Sequence, residues 1–149
     1  MVAGFRCSTS DFSYVILNGK RSFPEMIDHG VRKKPRDYSH PEFLKWARER
    51  IHEILCEYEI SALGYKRAET NRRPEEERLH LEGILIECAC SLGIPTITNK
   101  LKSQIKKDLG FQREARYVSQ IISSGPLSQD LNSPNLQEAA LIALCLLER

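Results

Sequence analysis

The sequence contains no apolar run of the ~18 residues that a membrane-spanning helix requires. Its amino terminus, MVAGFRCSTSDFSYVILNG, lacks the basic region and apolar stretch of a secretory leader. No membrane partner is expected, and a cytoplasmic location is the default expectation. Charge of one sign is not in excess: 22 Lys and Arg stand against 20 Asp and Glu. Total charge therefore does not argue for nucleic acid or an anionic membrane, and only its distribution can. The five cysteines, Cys7, Cys56, Cys88, Cys90 and Cys145, form an odd set without the paired spacing of a zinc ribbon or a disulfide framework. They read as reduced, mostly buried thiols. Cys88 and Cys90 come nearest to a metal motif, but residues two apart in a helix point about 200° apart around its axis. Glycine (8) and proline (7) are too few for a collagenous or low-complexity chain, and no internal repeat is present.

What remains is a chain of 149 residues, 41% hydrophobic and 28% charged, which fits one compact domain over residues 1–149. Folding at this size hides roughly 68–70% of the unfolded chain's surface, so a core forms without metal or disulfide staples.

Residues 2–8 and 12–17 are rich in β-branched and aromatic side chains and are separated by Ser8-Thr9-Ser10-Asp11, a hairpin signal. Asn18-Gly19 marks the next turn, and 21–31 is expected as a third antiparallel strand. The polar stretch 32–41 reads as a loop leading into a helix, with Ser39 or His40 at the cap and Pro41 in the first turn. Phe43, Leu44, Ala47, Ile51, Ile54, Leu55 and Tyr58 then recur at helical spacing. A short apolar run at 60–65 predicts a buried strand, and Glu75-Glu76-Glu77 opens a helix that Gly93 ends. A strand at 94–98, a basic helix over 99–108, a helical stretch at 113–122, a loop at 123–134 and an apolar helix at 136–147 complete the map. The order predicts an α/β domain with one mixed sheet, helices on its faces and parallel later strands.

Four stretches resemble the ribonuclease H-like superfamily, and within it the RuvC-type Holliday-junction resolvases. They are Ala3-Gly4-Phe5-Arg6 through Tyr14-Val15-Ile16; Ala62-Leu63-Gly64-Tyr65-Lys66 with its polar loop; Gly93-Ile94-Pro95-Thr96-Ile97 with Ile105-Lys106-Lys107; and the closing segment containing Glu138-Ala139-Ala140-Leu141-Ile142-Ala143. The likeness spans nearly the whole chain in element order. It implies a five-stranded sheet, strands 1–3 antiparallel and 4–5 parallel, with the first strand beside the fourth. It also implies a carboxylate cluster from the first strand, the end of the fourth and the last helix, holding two Mg²⁺ ions about 4 Å apart that activate water and stabilise the leaving oxygen.

Here the sequence departs from that pattern. The first strand offers Arg6, the fourth ends in Lys66, and only Glu138 remains as an acid. Two like unit charges 4 Å apart repel by roughly 4 kcal/mol at an effective dielectric of 20, so bound Mg²⁺ is not expected. Glu69 and Asp11 fall outside the matching positions. Arg6 and Lys66, if adjacent, require an anion. Either Glu138 reaches back to form an internal ion-pair network, or a phosphate of a nucleotide or nucleic acid binds there, helped by Arg67, Arg72, Arg73 and the basic helix with Lys100, Lys102, Lys106 and Lys107. Lys102 and Lys106 are four apart and share a helix face.

The bland alternatives stand beside these. A Lys/Arg-rich helix and the basic loop 32–36 are each more often a solvated face than a contact. His29, His40, His52 and His80 are scattered over different elements and show no hydrolytic triad. Trp46 falls between core positions, where packing outranks base stacking. The last helix is apolar around most of its circumference, a surplus that a second subunit of a homodimer would cover. The expected function is that of a catalytically inactive RuvC-like protein that binds nucleic acid or a phosphate-bearing ligand. The alternatives are a divergent Mg²⁺-dependent nuclease and a non-enzymatic dimeric interaction module.

Overall fold

The computed structural model describes residues 1–110, 131 and 133–149. Strands β1 (Val2–Cys7), β2 (Asp11–Lys20) and β3 (Phe23–Lys33) form an antiparallel meander. Helix α1 (His40–Glu57), β4 (Ala62–Lys66), α2 (Glu76–Ser91), β5 (Thr96–Lys100), α3 (Lys102–Leu109) and α4 (Pro134–Leu146) follow. The sheet order is β3-β2-β1-β4-β5, with β4 parallel to both β1 and β5. This is the mixed five-stranded sheet expected from the sequence, with the first strand beside the fourth.

Alternation along the central strands sorts side chains between two cores. Ala3, Phe5, Cys7, Phe12, Tyr14, Ile16, Leu63 and Tyr65 pack beneath α1 and α2. Val2, Val15 and Leu17 pack on the opposite face with Ile105 and Leu109 of α3, Leu131 and most of α4. Gly4 is where α4 crosses the sheet most closely: a Cβ there would lie 2.0 Å from the carbonyl oxygen of Ala139. The apolar circumference of α4, which suggested a second subunit, is thus covered within the chain, by the sheet on one side and by α3 and Leu131 on the other.

Ser39 caps α1 in a capping box with Glu42: the Glu42 amide donates to Ser39 Oγ, and the Ser39 amide to Glu42 Oε1 at 3.0 Å. Trp46 stacks on Phe43 with centroids 6.1 Å apart, a packing role.

Several boundaries differ from expectation for identifiable reasons. The second hairpin turns at Arg21-Ser22 rather than Asn18-Gly19, which stay within β2. Arg21 is held there because its guanidinium donates to the carbonyls of Asp108 and Cys145, at the ends of α3 and α4. Strand β3 continues through Arg32 and Lys33, expected in a loop. Strand β5 begins two residues late because the Ile94 amide is occupied by the Ala89 carbonyl at the end of α2. Asn99 and Lys100 consequently belong to β5 rather than to the basic helix. The helical stretch expected at 113–122, and nearly all of the loop expected at 123–134, lie outside the described residues. Among the described residues no helix is long and apolar enough to cross a membrane.

Candidate functional site

The carboxyl ends of the parallel strands β1 and β4 lie side by side, where open α/β sheets bind their ligands. Arg6 follows Gly4 by two residues and Lys66 follows Gly64 by two. Both glycines face α4, so alternation sets both cations on that side. The two do not share one anion, as the sequence reading expected. Glu138, from the second turn of α4, accepts from Arg6 Nε at 2.6 Å. Arg6 Nη1 also donates to the Cys7 carbonyl. Lys66, only 4% exposed, donates Nζ to Glu69 Oε1 at 2.7 Å and to the Arg67 carbonyl at 2.7 Å. Each cation thus has its own carboxylate. The internal network anticipated for Glu138 exists, but it needs Glu69, which the sequence reading set aside.

Glu69 is held by three features. Besides Lys66 it accepts from the Lys102 amide at 3.0 Å, at the open amino end of α3 where the helix dipole favours an anion. The Lys66 hydrogen bond, with lesser help from that amide, holds its carboxyl below the usual glutamate range against an opposing effect of burial. This contact brings the amino end of α3 to the loop 67–75. Lys102 and Lys106 are exposed on α3.

That loop forms a cleft of about 460 Å³ with the strand ends, lined by Arg6, Arg72, Arg73 and Arg78 together with Glu69 and Glu75. Arg78 was missed from the sequence. It bonds Glu82 at 3.0 Å and donates to the Lys66 carbonyl at 2.8 Å, both residues lying in the interior. Its i,i+4 spacing from Glu82 was the available signal. Arg72 and Arg73 are exposed and make no ion pair among the described residues. Arg67 does not join this cleft. Alternation turns it to the α2 side with Tyr65, where it lines a second cleft across the loop. Of the predicted residues, therefore, Arg6, Arg72 and Arg73 share one cleft; Lys66 and Glu138 support it from behind; Arg67 lies across the loop; and Lys102 and Lys106 flank it on α3.

The donor set does not fit a pair of dications. Among the described residues no three His, Cys, Asp or Glu side chains form a group able to hold a metal ion. Asp11 Oδ1 is buried without a hydrogen-bond partner, but it joins no such group. Elsewhere the histidines are less scattered than expected: His40 Nε2 lies 3.0 Å from His80 Nδ1, and the His52 ring lies 3.6 Å from Cys56 Sγ one helical turn away. His52, Cys56 and His80 are exposed and His40 is half-buried, and none of the four lines the arginine cleft.

No protein-family profile matches the sequence, and no curated protein is detectably similar to it. Solved structures are similar in fold. Thermus thermophilus RuvC in complex with a Holliday junction substrate superposes with a TM-score of 0.81 at 16% identity, over 97% of this chain and 90% of that one. The yeast mitochondrial Holliday junction resolvase gives 0.65 at 13% identity over 97% and 76%. The fowlpox virus resolvase bound to Holliday junction DNA gives 0.64 at 9% identity over 97% and 96%. The chain therefore has a ribonuclease H-like fold of the RuvC resolvase type.

Proposed function

We propose that this protein binds the phosphate backbone of nucleic acid, branched forms included, without cleaving it. The observation that carries the reading is the state of the two strand ends. Where a nuclease of this fold needs metal-binding acids, Arg6 and Lys66 stand, neutralised by Glu138 and Glu69. Among the described residues neither carboxylate is left over to hold a dication that would activate water there, which supports the non-cleaving reading. Meanwhile Arg72 and Arg73 project at the mouth of the adjoining cleft, and guanidinium groups suit phosphate by their planar, forked donors. The solved structures of similar fold that hold Holliday junction DNA support nucleic acid as the partner class.

The test is a salt-titrated binding assay on junction, duplex and single-stranded oligonucleotides, run beside cleavage assays with Mg²⁺, Mn²⁺ and chelator. Binding that weakens with salt is expected, with the slope reduced by about 2 in the R72E/R73E variant, and no cleavage. Cleavage abolished by chelator would overturn the non-cleaving half of the reading. Absence of binding to every oligonucleotide would overturn the other half and favour an interaction module.

A further inference from the structure

Across the loop 67–75 from the arginine cleft lies a second cleft of about 420 Å³, within the span of ligand pockets, roughly 300–1,000 Å³. The two share Ala68, Glu69, Arg72 and Pro74, so they are the two sides of one wall. Their chemistry differs. The first is guanidinium-rich. The second is built on Tyr65 and Asn99, register partners on β4 and β5, with Arg67, Leu79 and the Glu82 carboxylate that pairs with Arg78 beside them.

The Tyr65 hydroxyl accepts from Asn99 Nδ2 at 3.4 Å. Among the described residues the phenol proton has no acceptor and Asn99 Oδ1 has no donor; Asn99 is exposed, and Tyr65, though 7% exposed overall, borders the cleft. Burial, aided by Glu82, pushes the Tyr65 phenol upward, so it stays a donor. An O–H donor thus sits beside an amide acceptor. This is the complement of a ring acceptor next to an exocyclic amine, as on the edges of adenine and cytosine. Flat or apolar cover for the faces of a ring comes from the Arg67 guanidinium and from Leu79, which is 44% exposed despite its size.

From this juxtaposition we infer that the second cleft receives one unpaired nucleobase of a bound strand, while Arg73, with Arg72 in the shared wall, holds phosphate on the other side. The inference rests on the nucleic-acid reading above and extends it to the part of the strand recognised. A stacked, paired base offers neither its face nor its whole edge. Strands with unpaired bases therefore bind better than continuous duplex.

The experiment compares an intact single-stranded oligonucleotide with one carrying abasic sites, on the full chain and on N99A and L79A, both changes at exposed side chains. Folding is checked by circular dichroism. The intact strand is expected to bind about tenfold more tightly than the abasic one. N99A and L79A should weaken the intact strand by a similar factor and leave the abasic strand unchanged. A 2-aminopurine in the intact strand should change its emission on binding to the unsubstituted protein and not to N99A. Equal affinities for intact and abasic strands, or equal losses for both in the variants, would overturn the base pocket while salt-sensitive binding kept the parent reading. Failure of every strand to bind would overturn both.

Discussion

Glu138 Oε2 lies 2.6 Å from Arg6 Nε and joins the last helix to the first strand, although the two residues are 132 positions apart. The carboxylate competes with any incoming phosphate for the same guanidinium. The E138Q variant is therefore expected to bind single-stranded DNA about fivefold more tightly at fixed low salt, measured by fluorescence anisotropy, and to lose about 1 kcal/mol of stability. Arg6 keeps its bonds to the Cys7 carbonyl and Ser8 Oγ, so it stays in place. An unchanged affinity would show that Arg6 does not meet the bound strand.

Three glycines test the packing of the sheet. A Cβ on Gly4 would meet the backbone of α4 at 2.0 and 2.6 Å, and a helix backbone cannot give way locally. G4A should cost about 3 kcal/mol in urea unfolding. On Gly64 the nearest atoms are methyl groups of Ile142 and Leu146, at 2.7 and 3.3 Å, which can rotate aside, and G64A should cost about 1 kcal/mol. Gly83 lies inside α2 with nothing within 4 Å of an added Cβ, so G83A should stabilise by about 0.5–1 kcal/mol. Any other ranking of the three contradicts the way α4 and α2 lie on the sheet.

The acid limb of stability carries the signature of Glu69. Its carboxyl is depressed in the folded protein by Lys66 first, with the Lys102 amide adding to the effect. A depressed folded value means stabilisation that is complete above the ordinary glutamate range and lost as pH falls through the lower folded value. Relative to E69Q, the natural protein should have the higher urea midpoint at neutral pH and lose that advantage as pH falls below the ordinary glutamate range. The advantage is small because the carboxylate is 42% exposed and solvent screens the pair. Parallel acid limbs in the two proteins would refute the tie between the loop and α3.

Thiol labelling separates the cysteines. Cys56 and Cys90 are exposed, Cys7 and Cys88 buried, and Cys145 partly covered. Burial pushes the Cys145 thiol up to about 11, with Asp108 adding to the effect, and pushes Cys7 and Cys88 upward as well. At pH 8 two thiols should react at once with a disulfide reagent and three only after unfolding. A third fast thiol would mean that one of the covered positions opens.

The element order was legible because it rests on local regularities. Helical periodicity at Phe43, Ala47, Ile51 and Ile54, the Ser39–Glu42 box and the acidic opening of α2 each act within a few residues. Errors arose where a distant group decided a local boundary. Arg21 is drawn to the carbonyl ends of α3 and α4, so the hairpin turns beside it rather than at Asn18-Gly19. Part of the site was legible for the same reason: Arg6, Lys66 and Glu138 fall at matching positions of a familiar strand and helix order. Glu69 was not, since a loop has no period to place its side chain on Lys66.

By itself, then, the chain determined which elements form and the sign of the charges at the strand ends, because both follow from residue type and short-range spacing. Only the tertiary structure decided which carboxylate neutralises which cation, that Arg67 lies across the wall from Arg73 with Arg72 in the wall itself, and that the apolar surplus of α4 is covered by its own sheet. These outcomes depend on strand alternation, loop path and helix docking acting together, and charge and packing act across short distances in space, whatever the separation along the chain.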